Sequence, residues 1–188
     1  MLTRGQVSLG ILAGGQGRRL GGADKAFIEF DGEPLLSRTL AALGSGFAET
    51  LVSYNGSDQR ILESAARIVP DLRVDFPGPL AGLESLLHAA SCEWLLTVPV
   101  DLREIPGELA EGLFRALEAG GPGVVVRDGD GLQPLVALWP VRESRIAVSA
   151  ALDANNRAVQ ELVQSMQFRV HELSSWRLGN LNSPSDFE

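Results

Sequence analysis

Val7-Ser8-Leu9-Gly10-Ile11-Leu12 runs directly into Ala13-Gly14-Gly15-Gln16-Gly17-Arg18-Arg19-Leu20-Gly21-Gly22-Ala23-Asp24-Lys25. The first six residues are short and apolar and lead into a glycine cluster, the pattern of a buried strand that empties into a loop. Five glycines between positions 14 and 22 let main-chain N–H groups approach a polyanion without side-chain obstruction. Arg18, Arg19 and Lys25 add positive charge beside those amides. Neither common phosphate loop fits. A Walker loop needs Gly-Lys followed by Ser or Thr, and here Lys25 stands between Asp24 and Ala26. The dinucleotide fingerprint opens a helix at once, whereas this loop runs on through Lys25.

Outward from that loop, apolar runs alternate with helical patterns. Pro34 opens a helix whose Leu35, Leu36, Thr39, Leu40 and Leu43 share one face, with Gly44 as the stop. Thr50–Tyr54 reads as a strand ended by the turn pair Asn55-Gly56, Gln59–Ala66 as helical, and Arg67–Val69 as a brief strand closed by Pro70. Leu80–Ala90 is helical, and the nearly all-apolar Trp94–Val98 fits a central parallel strand covered on both faces. A helix over Glu108–Glu118 and strands at Val124–Val126 and Leu135–Trp139 follow, the strands separated by the turn-rich Asp128-Gly129-Asp130-Gly131. Helices near Ser144–Leu152 and Ala158–Met166 and a late strand at Phe168–His171 complete the pattern. Such alternation implies βαβ units in a three-layer α/β/α, Rossmann-like fold with a mostly parallel central sheet and ligands at the carboxyl ends of the strands. No repeat or linker divides the chain, so residues 1–188 read as one domain.

Composition narrows the class. The 188 residues are 45% hydrophobic and 21% charged, which excludes a disordered or fibrous chain. No apolar run approaches the roughly 20 residues of a membrane span, and Met1–Gly10 lacks a leader pattern. A single cysteine, Cys92, allows no internal disulfide and fits a reducing cytoplasm. The formal net charge of −8 argues against a nucleic-acid binder. It does not argue against a nucleotide, because residues 1–28 carry Arg4, Arg18, Arg19 and Lys25 against Asp24 alone. His88 and His171 are isolated and read as structural.

From position alone, Asp101 fits two roles equally well. It lies just beyond the most apolar strand, where it could cap the next helix or offer a hard carboxylate to Mg²⁺. Asp71, after Pro70 at a strand end, reads from position as a turn residue. Gly78 and Gly82 bracket a helix start whose free N–H groups suit a phosphate. Asn180 and Asn182 offer donors and acceptors, although Asn182-Ser183-Pro184 serves equally as a helix cap.

The string from Leu12 to Lys25 resembles the signature L-A-G-G-x-x-x-R-[ML]-G-G-x-D-K of the molybdenum-cofactor guanylyltransferase (MobA-type) family. Similar segments recur in order: Gly32-Glu33-Pro34-Leu35, Asp75-Phe76-Pro77-Gly78-Pro79-Leu80-Ala81-Gly82, Val98-Pro99-Val100-Asp101, Gln133–Trp139 and Asn180-Leu181-Asn182-Ser183-Pro184. The resemblance covers nearly the whole chain. It implies transfer of GMP from GTP to molybdenum-molybdopterin, with release of pyrophosphate and Mg²⁺ as the cofactor. By the same resemblance Asp101 is the metal ligand, and Lys25 and Arg19 hold the triphosphate with Gly14 and Gly15. Leu12, Ala13, Asn55 and Asp71 read the base. Gly78, Gly82, Gln133-Pro134, Asn180 and Asn182 face the pterin or its phosphate, so the N-terminal half takes GTP and the C-terminal half the pterin. A complex with the preceding biosynthetic protein is implied as well. The chain departs from the family at Val100, where Cys is more frequent, and at Leu102-Arg103, where Thr or Ser-Pro is usual. Because the first motif is shared with sugar-nucleotide and cytidylyl transferases, those enzymes and a non-catalytic nucleotide-binding protein stay as alternatives.

Overall fold

The computed structural model describes residues 1–14, 24–64, 66–73 and 78–187. Its frame is a seven-stranded sheet of β1 (Val7–Leu12), β4 (Glu49–Ser53), β5 (Arg67–Val69), β6 (Trp94–Pro99), β7 (Val124–Asp128), β8 (Gly131–Pro140) and β9 (Arg169–Leu173). The order across the sheet is β5-β4-β1-β6-β8-β7-β9. Four of its six pairings are parallel, and β8 alone runs antiparallel to both neighbours.

Helices cover both faces. On one side α1 (Leu35–Leu43) and α3 (Leu109–Glu118) pack with Val7, Leu9, Ile11, Leu96, Val98, Val124 and Val126. On the other, α2 (Pro79–Ala89), α4 (Val141–Asp153) and α5 (Val159–Ser165) pack with Leu51, Leu95, Val125, Ala137 and Trp139. The alternation along β1 explains the division. Val7, Leu9 and Ile11 face α1 and α3, while Ser8 and Gly10 leave room for α2. A Cβ on Gly10 would lie 3.1 Å from Leu86 Cδ1 and 3.0 Å from Leu95 Cδ1, so glycine sets how closely α2 approaches the sheet. Beneath α5, the indole N–H of the fully buried Trp139 donates to Thr97 Oγ1 at 2.7 Å, which satisfies the one polar group of that ring.

Three expectations shift. The alternation breaks after β7, because the Asp128–Gly131 turn makes β7 and β8 a hairpin rather than a βαβ unit. Gly131 sits at φ 126° in that turn, and pairing begins there instead of at Leu135. Gln59–Ser64 is a 3-10 helix rather than an α-helix: Ile61 is buried but Leu62 is 74% exposed, so no continuous apolar face exists to be covered. Finally, Asp31-Gly32, both at positive φ, joins a two-stranded hairpin of β2 (Glu29–Phe30) and β3 (Glu33–Pro34) that strand patterning does not announce.

Candidate active site

β1, β4, β5 and β6 are parallel, so their carboxyl ends share one edge of the sheet. In sheet order that edge carries Asp71 beyond β5, Asn55 beyond β4, Gly14 beyond β1 and Asp101 beyond β6. Between β1 and β6 the chain switches from building leftward to building rightward, which opens a crevice at the edge. Three strand spacings, about 14 Å, separate the two ends of this row. That length suits an extended nucleotide.

At the β5 end, Asn55 Oδ1 accepts the Asp71 N–H at 2.8 Å, and Ser53 Oγ donates to Asp71 Oδ1 at 3.4 Å. Burial pushes the Asp71 carboxyl above its ordinary value, and hydrogen bonding to Asn55 and Ser53 offsets this only in part. A Cβ on Gly14 would lie 3.6 Å from Ser53 Oγ and 4.0 Å from Asn55 Nδ2, so the Gly14 backbone adjoins the pair. Leu12 and Ala13 are less free than their sequence suggests. The Leu12 carbonyl accepts the Val100 N–H and the Ala13 N–H donates to the Ser53 carbonyl, both at 3.1 Å. The second lone pair of the Leu12 carbonyl, and the Ala13 carbonyl, are what they offer a ligand.

At the β6 end, Lys25 opens a single 3-10 turn (Lys25–Phe27), and its ammonium donates to Asp101 Oδ2 and, at 2.7 Å, to Asn182 Oδ1. Lys25 and Asp101 side chains are 16% and 17% exposed, at the mouth of the crevice. What anchors Lys25 escapes sequence reading. The Tyr54 hydroxyl donates to Asp24 Oδ2 and accepts the Asp58 N–H at 3.1 Å. Phe27 meets the Tyr54 ring edge-on at 6.1 Å, and the Arg60 guanidinium lies 4.4 Å from the Phe27 ring centre. Burial, then the Asp24 carboxylate, pushes the Tyr54 hydroxyl up to about 12. Tyr54 alone at a strand end signals only a strand, and the thirty residues between it and Asp24 hide the contact.

The C-terminal segment docks beside Asp101. Leu102 bridges Asn180 in antiparallel fashion, the Leu181 N–H donates to the Asp101 carbonyl at 2.8 Å, and the Leu178 carbonyl accepts the Arg103 and Glu104 N–H groups. Asn182 is thereby brought to the Lys25–Asp101 pair and Asn180 beside Leu102, the residue after Asp101, both exposed. The Asn182 side chain accepts from Lys25 rather than capping the last turn, where the N–H groups of Asn182 and Ser183 donate to Asp186 Oδ2 at 2.8 and 2.7 Å. Gly78 stands at the start of α2 with φ 150°, a conformation that favours glycine. Gly82 is buried in the helix instead: a Cβ there would lie 2.6 Å from Ser53 Oγ and 3.1 Å from Leu12 Cδ2. Its place in the structure is close packing of α2 on β1 and β4. Gly15 and Arg19 lie outside the described residues.

Residues 9–170 match the MobA-like NTP transferase domain. The chain belongs to that family. A molybdenum cofactor guanylyltransferase of Pseudomonas putida KT2440 is 35% identical over 179 residues, 94% of this chain and 93% of the relative. One from Shewanella putrefaciens is 34% identical over 150 residues, 79% of this chain and 76% of the relative. Among solved structures, molybdopterin-guanine dinucleotide biosynthesis protein A of Archaeoglobus fulgidus superposes with a TM-score of 0.77 at 21% identity, covering 96% of this chain and 94% of that one. The 2-C-methyl-D-erythritol 4-phosphate cytidylyltransferase of Thermus thermophilus gives 0.70 at 20% identity, covering 95% and 94%. These two likenesses establish the fold. Since a cytidylyltransferase shares it, base choice in a MobA-like NTP transferase rests on side chains rather than topology.

As a MobA-like NTP transferase the chain has a nucleotidyltransferase domain, and its donor set fits Mg²⁺. Asp101 is a hard oxygen donor at the crevice mouth, and among the described residues no group of three or more His, Cys, Asp or Glu gathers as a protein cage. Mg²⁺ is satisfied by one carboxylate plus waters and phosphate oxygens. Among the described residues no helix is long and apolar enough to cross a membrane.

Proposed function

We propose that this chain transfers GMP from GTP to molybdenum-molybdopterin, forming the guanine dinucleotide of the cofactor and pyrophosphate. The observation that carries this reading is the row Asp71, Asn55, Gly14, Asp101 along one sheet edge, with Lys25 paired to its last member. The names of the relatives over nearly the full chain give the same direction.

The base lies at the β5 end. The Asp71 carboxylate accepts the guanine ring N–H and exocyclic amine, a donor pair that adenine and cytosine lack. Its partial burial sharpens the choice, because a half-desolvated carboxylate gains from two well-placed N–H donors. Asn55 fixes the Asp71 backbone through its 2.8 Å hydrogen bond. The phosphates run towards β6. There Lys25 and the glycine-rich loop, with Arg19, hold the β- and γ-phosphates that leave as pyrophosphate. Asp101 would hold Mg²⁺, which when bound would supply charge neutralisation to the phosphates.

An oxygen of the acceptor's terminal phosphate forms the new bond to the α-phosphorus as the bond to the β-phosphate oxygen breaks. That phosphate oxygen is already ionised near neutral pH, so the protein supplies alignment and electrostatic stabilisation rather than a base. Asn180 and Asn182 orient the acceptor beside Lys25 and Asp101. The N-terminal half thus serves GTP and the C-terminal half the pterin within one domain. The site of action is the cytoplasm, where the acceptor is handed over by the preceding biosynthetic protein.

Calorimetric titration with GTP, CTP, ATP and UTP in Mg²⁺ tests the base assignment. GTP is expected to bind at least tenfold more tightly than the others. A preference for CTP would overturn the guanine reading.

A further inference from the structure

Asp128 ends β7 and is 6% exposed, one of the few charged side chains in the core. Four donors converge on it. Oδ1 accepts the N–H of Asp130 at 2.9 Å, the N–H of Gly131 at 3.1 Å and Nε2 of Gln133 at 3.1 Å. Oδ2 accepts the N–H of Leu178 at 2.8 Å, from fifty residues further along the chain. Burial pushes the carboxyl up, but the four donors outweigh it and hold it below its ordinary value.

A turn explains only half of this. Asx side chains commonly accept main-chain N–H groups two and three residues on, and Oδ1 alone does so here. Oδ2 is spare for the turn and is spent on Leu178. That residue is fully buried and begins the stretch that ends at the crevice. Its carbonyl accepts from Arg103 and Glu104, Asn180 bridges Leu102, Leu181 binds the Asp101 carbonyl, and Asn182 receives the Lys25 ammonium. A parallel tie, the Gly129 N–H to the Trp176 carbonyl at 2.8 Å, joins the same turn to the same segment.

We infer that Asp128 is a positioning residue for the acceptor side, fixing the C-terminal segment so that Asn182 stands at the Lys25–Asp101 pair and Asn180 beside Leu102, while the same carboxylate orients Gln133. The inference rests on the proposed reaction for its kinetic consequence, but not for its structural one. A carboxylate is required because both oxygens must accept. An amide keeps one acceptor and turns an N–H₂ towards a fourth donor.

Asp128→Asn tests this. Its amide oxygen serves the three turn donors, which sets its N–H₂ against the Leu178 N–H and releases the segment. The KM for molybdenum-molybdopterin is expected to rise tenfold or more with a smaller fall in kcat, while the GTP dissociation constant by calorimetry stays within twofold. Amides 178–182 should exchange hydrogen at least tenfold faster, and those of β1 and β4 at unchanged rates. In an Asn180→Ala/Asn182→Ala/Gln133→Ala background the same substitution should add little to the acceptor KM, because its effect passes through those three side chains. If Asp128→Asn does not fold, Asp128→Thr takes its place, since its hydroxyl serves the turn but leaves Leu178 without a partner. An acceptor KM within twofold of the unaltered protein, or unchanged exchange at 178–182, overturns the inference. Absence of transfer by the unaltered protein would instead count against the proposed reaction, and the exchange measurement would still decide the role of Asp128.

Discussion

Tyr54 is the sole tyrosine of the chain, so the ultraviolet phenolate band reports on one hydroxyl. That hydroxyl is buried and donates to Asp24, the residue before Lys25. Its pKa is raised from 10.0 to about 12, so the fold favours the neutral phenol. The stabilisation is therefore complete below pH 10 and is lost as pH rises from 10 towards 12. Spectrophotometric titration at 295 nm should show the phenolate of the folded protein appearing well to the alkaline side of the same protein in urea. Asp24→Asn, which removes the charge but keeps an acceptor, should move the folded curve back towards 10. Coincident curves for folded and unfolded protein would show that the Tyr54–Asp24 contact does not form. The same contact marks where residue-level reading stops. Asp71 and Asp101 are legible as candidates because each follows the end of a strand, and Lys25 because it closes the glycine-rich string. The clamp that aims Lys25 is a tertiary contact across thirty residues, and no local spacing encodes it. Asp128 is hidden for a different reason: its turn is legible, but the second use of its carboxylate is not.

At the scale of elements, the register of α2 against β1 and β4 is set by small residues. Gly82 lets Ser53 Oγ approach to where a Cβ would stand 2.6 Å away, and Ser53 in turn donates to Asp71. Gly82→Ala gains about 1 kcal/mol of helix propensity and meets an overpacking cost of roughly 1–3 kcal/mol. With Ser53 fully buried, the steric cost wins. A net loss on the order of 1 kcal/mol in urea unfolding is expected, together with weaker GTP binding as Asp71 shifts. Ser53→Ala opens the space, so Ser53→Ala/Gly82→Ala should be at least as stable as Ser53→Ala alone. If the second substitution costs as much in that background as in the unaltered protein, the two residues do not meet. Elements themselves were legible in proportion to their burial pattern. Trp94–Val98 is apolar except for Thr97 and forms most of the central β6 (Trp94–Pro99). The apolar core of β8 is equally clear at Leu135–Trp139, but its direction is decided by the Asp128–Gly131 turn, and turn chemistry rather than hydropathy makes it antiparallel.

Across the whole molecule, carboxylates act as ties between elements, Glu84 and Asp128 buried and Glu49 and Glu111 partly exposed. Glu49 of β4 accepts from Ser8 of β1 and from both the N–H and hydroxyl of Ser91. Glu84 of α2 takes a two-pronged contact from Arg73, both bonds at 2.8 Å, and a third from Ser149 of α4. Glu111 of α3 receives Arg4 at 2.7 Å, and Asp128 holds the C-terminal segment. All four lie below their ordinary values. Burial raises Glu49, Glu84 and Asp128 but their donors prevail, and for Glu111 the Arg4 contact is the largest influence. A lowered pKa in the fold contributes stability above the unfolded value and loses it as pH falls through the folded one. Asp71 has the opposite sign, since its raised pKa makes its ionised form a cost that acid relieves. Net charge opposes the four ties as well. At −8 the chain repels itself, and mild acid reduces that repulsion. The two influences separate by pH. Between pH 7 and about 5 the four tied carboxylates remain ionised in both states, and any relief of charge repulsion is opposed by His171, whose burial holds its imidazole below the ordinary 6.5, so stability should change little. Below the ordinary carboxyl values of 4.5 and 3.8 the unfolded chain takes up protons that the fold refuses, and stability should fall steeply. The urea midpoint followed from pH 7 to pH 3 is the measurement. Glu84→Gln should flatten the acid limb because one tied carboxylate no longer titrates. A midpoint that keeps rising below pH 4 would mean that charge repulsion, not these cross-element ties, governs the stability of the fold.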